Sequence, residues 1–198
     1  MSVSPADALT SVPNLLSLSR LPLTVGLCGC ISAHAWVLGL AVFAVAAVTD
    51  WLDGWWARRF GRVSVVGRSL DPLTDKVLLG GAFIFLIPVT QAGITPWVVA
   101  VVIGRELLVT GLRGMVEATG AKFGADWFGK LKTVLQCATV AAVLGVEAVR
   151  ADGRAADALP ALEWGRDGLV WVMLGATVGS GVQYVVKAAR VLRPADET

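Results

Sequence analysis

Four aspartates lie at the edges of strongly apolar segments, with a spacing suited to metal binding. They are Asp50, Asp53, Asp71 and Asp75. Asp50 and Asp53 are three residues apart and Asp71 and Asp75 are four apart, so each pair shares one face of a helix. Two helices that each offer two carboxylates can converge on a cluster of hard oxygen ligands. Such a cluster suits Mg²⁺ or Mn²⁺, whereas zinc prefers histidine and cysteine.

Small residues and one arginine complete the pattern around the four acids. The segment reads Asp50-x2-Asp53-Gly54-x2-Ala57-Arg58-x8-Gly67-x3-Asp71-x3-Asp75. Gly67 precedes Asp71 by one turn and keeps that helix face small. Salt bridges to nearby arginines would explain acids in loops, but not acids that follow the apolar run Val37–Val48. An acid at the centre of a membrane helix costs roughly 2.5–3.5 kcal/mol, and bound metal would offset that cost.

The composition indicates an all-α polytopic membrane protein with a single domain over residues 1–198. The chain is 56% apolar and 16% charged, with a mean hydropathy of +0.70. A membrane span needs roughly 20 mostly apolar residues. Apolar runs and their polar ends predict a bundle of six transmembrane helices, with room for a short interfacial helix from Ser11. The six predicted helices are Asn14–Ala33, Trp36–Arg59, Asp71–Thr90, Pro96–Glu117, Lys132–Arg150 and Gly165–Arg190.

The distribution of lysine and arginine predicts the orientation in the membrane. Basic residues cluster in the predicted loops after the second and fourth helices and in the tail, and are missing from the loops after the first and third. They are Arg58, Arg59, Arg62, Arg68, Lys122, Lys130, Lys187, Arg190 and Arg193. Both termini and the aspartates are therefore expected on the cytoplasmic side of a bacterial-type inner membrane. The predicted loop 150–167 has mixed charge and no assigned role, and no nucleic-acid partner is expected.

The aspartate pattern resembles the signature of the CDP-alcohol phosphatidyltransferase family at every fixed position. The resemblance implies a six-helix membrane transferase that forms homodimers. It implies that the four aspartates bind two Mg²⁺ or Mn²⁺ ions and that Asp75 also serves as the general base. It further implies a CDP-diacylglycerol site that includes Gly54, Ala57, Arg58 and Gly67, with Arg58 near the diphosphate. An alcohol would then attack the lipid-bearing phosphorus, and CMP would leave.

Segments beyond the aspartates are similar to the phosphatidylglycerophosphate synthase group of this family. The similar segments are residues 14–20, 71–76, 105–113 and 126–136. Ser17 stands where threonine is usual, and Thr74 stands where alanine is common. The resemblance covers about residues 14–145 and implies sn-glycerol 3-phosphate as the acceptor alcohol.

Basic residues in the second half of the chain favour an acceptor that carries a phosphate. Arg105 and Arg113 are two turns apart on one predicted helix, and Lys130 and Lys132 stand at the mouth of the next. Arginine and lysine are natural partners of a dianionic phosphate. We therefore predict that all four bind glycerol 3-phosphate, with Glu106 orienting an arginine. Anchoring to anionic lipid is the plainer alternative for such residues, and it is the interpretation favoured for Lys122.

Other functions are compatible with parts of the pattern. Inositol phosphate also brings a phosphate, whereas serine would need no phosphate site, and phosphatidylglycerol is a further acceptor of the same chemistry. A small cation-coupled transporter is an alternative from another class, because acids within the membrane also mark ion pathways. The inverted repeats of many transporters are not visible in the sequence. An inactive membrane scaffold is disfavoured because all four acids are intact.

Overall fold

The structure is entirely helical in the residues that it describes. The computed structural model describes residues 12–60, 65–120 and 127–192, and within these the side chains of 12–17, 50, 51, 53–60 and 65–75 stay outside the description. The helices are α1 (Val12–Ser32), α2 (Trp36–Phe60), α3 (Val65–Leu86), α4 (Pro96–Ala118), α5 (Trp127–Asp152) and α6 (Leu159–Leu192), with a 3₁₀ turn at Ala156–Ala158. No strand occurs in these ranges, so the all-α prediction is confirmed.

Local signals explain where two of the helices begin and end. Thr95 caps α4, because its Oγ1 accepts a hydrogen bond from the backbone N–H of Val98 at 3.5 Å. Pro96 follows as the first helical residue, where its missing N–H costs nothing. Gly153 directly follows α5 with φ of +68°, a conformation that glycine adopts without strain. These two signals fix one end of each helix that carries the predicted acceptor residues.

Helices α3 and α5 begin earlier than the sequence indicated. α3 begins at Val65 rather than at Asp71, so Asp71 and Asp75 lie well inside the helix and not at its start. Gly67 and Arg68 look like loop residues in sequence, but in the structure they belong to the first turns of α3. α5 begins at Trp127 rather than at Lys132.

The predicted loop 150–167 is wrong for most of its length. α5 continues to Asp152, and α6 begins at Leu159. Pro160 stands at the second position of α6, a place where proline favours helix initiation. The mixed charges that suggested a loop therefore lie on two helix ends and a short connection between them.

α2 and α5 pack side by side and run in opposite directions. A Cβ at Gly39 of α2 would lie 3.8 Å from Leu144 Cδ2 of α5. The start of α2, at Trp36, and the end of α5, at Ala151, line the same cavity. α1 packs against both α2 and α3, while α6 packs against both α4 and α5. The largest apolar core joins these layers and includes Leu27, Phe83 and Leu144.

Two helical stretches of the described chain are long and apolar enough to cross a membrane, judged by length and composition. They are α5 and the continuous stretch Ala156–Leu192. Shorter apolar helical segments are found at Leu18–Ser32, Trp36–Thr49 and Lys76–Leu86.

Candidate active site

The four aspartates lie on α2 and α3, the two helices that pack against α1. Asp50 and Asp53 belong to the second half of α2, and Asp71 and Asp75 to α3. Their side chains lie outside the described part of the structure, as do those predicted to bind CDP-diacylglycerol. The latter are Gly54, Ala57 and Arg58 on α2 and Gly67 on α3. Among the side chains that are described, no group of three acids, histidines or cysteines forms a metal site.

α1 brings a buried arginine to the depth of the α3 aspartates. Thr24 of α1 lies beside Gly81 of α3, because a Cβ at Gly81 would lie 3.1 Å from Thr24 Cγ2. Arg20 precedes Thr24 by one turn, is only 1% exposed, and accepts a hydrogen bond from Thr24 Oγ1 at its carbonyl oxygen, at 2.7 Å. Since α1 and α3 run in the same direction, Arg20 is level with Val77, close to Asp75 in height.

A buried cluster joins α4 and α5 through one carboxylate. Glu106 Oε1 accepts a hydrogen bond from Arg105 Nη1 at 3.1 Å and a short hydrogen bond from Lys132 Nζ. The side chains of Arg105 and Lys132 are only 9% and 5% exposed. Two buried cations thus share a single carboxylate. This gives Glu106 the orienting position that the sequence suggested.

Lys76 connects this cluster to the helix of Asp71 and Asp75. Lys76 Nζ donates a short hydrogen bond to Thr110 Oγ1, which in turn donates to the backbone oxygen of Glu106 at 2.6 Å. Arg105 and Lys132 both bond Glu106, and Lys76 bonds Thr110 one turn further along α4. We call Lys76, Arg105, Glu106 and Lys132 the basic cluster. Its described side chains carry three positive charges and one negative charge.

Arg105 packs against α6. The guanidinium carbon of Arg105 lies 5.5 Å from the centre of the Tyr184 ring, within the range of a cation–π contact. A Cβ at Gly181 would lie 3.2 Å from Arg105 Cγ, so glycine lets the arginine approach the helix closely. Tyr184 itself is 2% exposed and belongs to a small apolar core with Val109 and Val116. The arginine is therefore held in place by packing as well as by Glu106.

Several donors in and beside the basic cluster are unused. Arg105 Nε and Nη2 and Gln136 Nε2 are buried and have no hydrogen-bond partner among the residues that the structure describes. Buried polar groups in folded proteins are nearly always paired, and an unpaired one costs about 1–3 kcal/mol. Unused donors combined with surplus positive charge are suited to an anionic ligand.

The structure brings together two of the four residues predicted to bind the acceptor. Arg105 and Lys132 meet at Glu106, whereas Lys130 is exposed and has no contact with the basic cluster within the described ranges. Arg113 is partly buried on α4 and lies about 80° around the helix axis from Arg105, at 100° per residue. Lys122 lies outside the described residues.

Sequence reasoning missed several residues around the site. They are Arg20, Lys76, Thr110, Gln136 and Tyr184. Lys76 directly follows Asp75, and Gln136 follows Lys132 by one turn, so sequence proximity could have suggested both. Tyr184 is the only tyrosine in the chain, but nothing in the sequence places it under Arg105.

A second group of charged residues, which we call the distal network, lies where α5 ends and α6 begins. It consists of Glu147, Arg150, Glu163, Arg166 and Asp167. Arg150 bonds Glu147 at 3.2 Å and Glu163 at 2.6 Å. Arg166 bonds Asp167 at 2.9 Å and the backbone oxygen of Gln91, and lies 3.9 Å from Glu147.

The distal network has a close backbone approach on one side and a cavity on another. Gly93 has φ of +69°, and a Cβ there would lie 2.7 Å from Asp167 Oδ1, so only glycine suits this position. A cavity of about 440 Å³ opens beside the network, lined among others by His34, Trp36, Glu147 and Arg150.

Comparison with known proteins identifies the class. The family model described as CDP-alcohol phosphatidyltransferase matches residues 10–180. The chain therefore belongs to the CDP-alcohol phosphatidyltransferase family, which confirms the resemblance seen in the aspartate motif.

Individual relatives carry more specific names. The chain is 42% identical over 111 residues to the CDP-diacylglycerol–glycerol-3-phosphate 3-phosphatidyltransferase of Bacillus subtilis (strain 168), a match over 56% of each chain. It is 34% identical over 142 residues to the protein of that name in Salmonella choleraesuis (strain SC-B67), over 68% of this chain and 76% of the relative. A probable phosphatidylglycerophosphate synthase of Mycobacterium tuberculosis (strain CDC 1551 / Oshkosh) is 43% identical over 105 residues, 52% of this chain and 48% of the relative. The chain thus spans about half to three quarters of the length of these relatives.

Proposed function

We propose that this protein transfers a phosphatidyl group from CDP-diacylglycerol to sn-glycerol 3-phosphate, giving phosphatidylglycerophosphate and CMP. Membership of the family supports the reaction class. The names of the relatives support glycerol 3-phosphate as the acceptor. The observation that carries the choice of acceptor for this chain is the basic cluster, where two buried cations share one carboxylate and Arg105 has unused donors.

In this proposal the basic cluster binds the phosphate of the acceptor. Arg105 offers Nε and Nη2, and Lys132 adds a second positive charge close by. Hydrogen bonds between ionised groups are about twice as strong as neutral ones, and they strengthen further away from water. Glu106 and Tyr184 keep the guanidinium in place before the ligand arrives. Serine has no phosphate to fill such a site, so serine is a poor fit as acceptor.

The four aspartates supply the chemistry of the transfer. A set of carboxylate oxygens at i,i+3 and i,i+4 positions of two helices fits two Mg²⁺ or Mn²⁺ ions and does not fit zinc. When bound, such ions offset the diphosphate charge and stabilise the attacking and leaving oxygens. Asp75 accepts the proton of the acceptor's primary hydroxyl. The hydroxyl oxygen then bonds to the lipid-bearing phosphorus, and the bond from that phosphorus to the CMP oxygen breaks.

The nucleotide end of the donor belongs on the side of α2 and the start of α3. We assign Gly54, Ala57 and Gly67 to the space for the cytidine nucleotide and Arg58 to its diphosphate. Lys76 separates this region from the acceptor end, since it follows Asp75 and bonds to Thr110 of α4.

The same proposal places all six helices in a bacterial-type inner membrane, with both termini and the active site on the cytoplasmic side. Large apolar side chains face outward on most helices, as contact with lipid requires. Trp97 and Trp127 stand at the first turns of α4 and α5 and are 82% and 74% exposed, which suits a belt at the membrane surface. A homodimer, two bound metal ions and surrounding membrane lipid complete the proposed assembly.

An acceptor panel tests this function. The purified full chain is incubated with CDP-diacylglycerol, Mg²⁺ and one radiolabelled acceptor at a time: glycerol 3-phosphate, inositol phosphate, serine or phosphatidylglycerol. We expect lipid-extractable phosphatidylglycerophosphate with the first acceptor, no product in excess chelator, and recovery on added Mg²⁺ or Mn²⁺. A faster reaction with another acceptor would reassign the substrate. Unchanged glycerol 3-phosphate moved across a vesicle membrane would indicate the transporter instead.

A further inference from the structure

We propose that Gln136 recognises the secondary hydroxyl of the acceptor and so helps to select glycerol 3-phosphate among phosphate-bearing alcohols. This inference rests on the proposed function. Gln136 is 1% exposed, and its Nε2 has no hydrogen-bond partner among the described residues. A buried carboxamide with idle donors is destabilising by itself and suits a ligand that brings a neutral acceptor oxygen.

The position of Gln136 on α5 places it beside the basic cluster. It follows Lys132 by four residues, so both side chains emerge from the same face of the helix, and both are buried. One helical turn rises by about 5.4 Å, which is comparable to the length of a glycerol backbone. A ligand whose phosphate rests at Lys132 and Arg105 can therefore extend its carbon chain past Gln136.

The register between α2 and α5 brings Gln136 close in height to the first aspartate pair. Gly39 faces Leu144, and the two helices run in opposite directions. Counting eight residues back along α5 from Leu144 and eight forward along α2 from Gly39 makes Gln136 level with Ala47. Asp50 follows Ala47 by less than one turn.

The alignment of α3 with α5 also brings Gln136 close in height to the second aspartate pair, Asp71 and Asp75. These helices run in the same direction, since Lys76 and Lys132 both reach the turn of α4 between Glu106 and Thr110 at one end, while Val89 and Ala151 line one cavity at the other. Counting along both helices from Lys76 and Lys132 makes Gln136 level with Gly80, and counting from Val89 and Ala151 makes it level with Thr74. The interval between these two levels contains Asp75, the proposed base.

The chemistry of the carboxamide fits a hydroxyl better than a phosphate. The ionised groups of Arg105 and Lys132 already suit the phosphate, whereas Gln136 carries no charge and gains less from an anion. Its Nε2 can donate to the oxygen of the secondary hydroxyl while the primary hydroxyl turns toward Asp75. An acceptor without that hydroxyl would leave the amide unpaired, and a site of this kind discriminates against such an acceptor.

The experiment compares two acceptors in two variants. Glycerol 3-phosphate is compared with 3-hydroxypropyl phosphate, which keeps the phosphate and the primary hydroxyl but lacks the secondary one. For wild-type protein we expect kcat/KM to favour glycerol 3-phosphate by about 10-fold, the scale of one neutral hydrogen bond plus an unpaired amide. In Gln136→Met this preference should fall to within about 2-fold, because methionine has similar length but no donor.

A stability measurement and a control variant separate recognition from a structural role. Without substrate, Gln136→Met should unfold at the same temperature as wild type or higher, since the idle amide is gone. Gln183→Met, an exposed glutamine on α6, should keep the wild-type preference. An equal loss of kcat/KM for both acceptors in Gln136→Met, or a preference retained at wild-type level, would overturn this inference alone. Failure of wild-type protein to convert glycerol 3-phosphate would instead overturn the proposed function.

Discussion

Two clusters of charged side chains lie toward opposite ends of α5, and they differ in which hydrogen-bonding groups are left unpaired. In the basic cluster, Arg105 and Lys132 share Glu106, and two nitrogens of Arg105 stay idle within the described structure. In the distal network, Arg150 and Arg166 bond carboxylates and a backbone oxygen, and the buried atom without a hydrogen-bond partner among the described residues is an acceptor, Glu147 Oε1. The first cluster has more donors than acceptors, and the second has more carboxylates than arginines.

This difference separates a binding role from a structural one. Buried ion pairs stabilise a fold only when the remaining hydrogen-bonding capacity of each partner is met. Arg166 uses its own donors on Asp167 and on the backbone oxygen of Gln91 before α4, and it lies 3.9 Å from Glu147 Oε1 of α5. Arg105, in contrast, leaves Nε and Nη2 without a hydrogen-bond partner among the described residues. The distal network therefore connects helices, whereas the surplus of donors in the basic cluster supports its proposed role in binding an anion.

The largest effect on catalysis is expected at Asp75, whose neighbour Lys76 connects its helix to the basic cluster. Asp75→Asn should lower kcat by about 10²- to 10⁴-fold, the usual contribution of general acid–base catalysis. CDP-diacylglycerol should still bind measurably in an equilibrium assay with the purified variant. Asp157→Asn, at the exposed turn beside the distal network, should keep wild-type turnover. Full turnover in Asp75→Asn would remove this carboxylate from the mechanism.

The distal network should respond through stability. Arg166→Ala removes the donor to the backbone oxygen of Gln91 and one of the cations near the buried Glu147, and should lower the free energy of unfolding by about 1–3 kcal/mol. Denaturant unfolding of the purified variant measures this loss. The folded fraction should keep the wild-type KM for glycerol 3-phosphate. Arg154→Ala is the matched control, because its side chain is 88% exposed and its 3.7 Å contact with Asp152 is a surface pair. A raised KM with unchanged stability in Arg166→Ala would reverse the roles of the two clusters.

The basic cluster should respond through substrate affinity. Arg105→Ala should raise the KM for glycerol 3-phosphate by about 10- to 100-fold, because a hydrogen bond to a charged group contributes about 1.5–3 kcal/mol. The KM for CDP-diacylglycerol should change little, since the nucleotide is assigned to α2 and α3. Steady-state kinetics with each substrate varied in turn measures both constants. An equal rise in both would indicate a disturbed fold rather than a lost contact.

The smallest effect is expected for the lysine that the structure leaves exposed. Lys130→Ala should change the KM for glycerol 3-phosphate by less than about 2-fold, because an exposed charge is screened by water and salt. Lys132→Ala should raise it by about as much as Arg105→Ala. The same kinetic assay compares the two variants. Equal effects of Lys130→Ala and Lys132→Ala would show that burial does not decide which lysine binds the acceptor.

The number and type of helices could be predicted from sequence because long apolar runs leave few alternatives. All six helices were located, but the starts of α3, α5 and α6 and the end of α3 were placed too late in the chain. The start of α3 was missed because Gly67 is a poor helix former and the charge of Arg68 lies outside the apolar run that marks the membrane segment. The helical turns in 159–165 were missed because their charges resemble a loop, although Pro160 carried the correct signal.

The basic cluster could be predicted only in part. Arg105 and Lys132 were predicted from their charge, and in the structure both form ion pairs with Glu106. Their exposed neighbour Lys130 looked equivalent, because a sequence does not show which of two nearby lysines faces inward. Lys76 on α3 and Tyr184 on α6 come from helices that are distant in sequence from Arg105. Contacts of that kind depend on how helices pack, which single-sequence periodicity does not contain.

Equilibrium binding of glycerol 3-phosphate tests most directly whether the basic cluster is a phosphate site. Isothermal titration of the purified full chain can be repeated with inorganic phosphate and with uncharged glycerol as competitors. We expect phosphate to compete, glycerol to have no effect, and Arg105→Ala to weaken binding by about 10- to 100-fold while Arg166→Ala, where folded, binds normally. Competition by glycerol but not by phosphate, or wild-type affinity in Arg105→Ala, would contradict the assignment of this cluster to the acceptor.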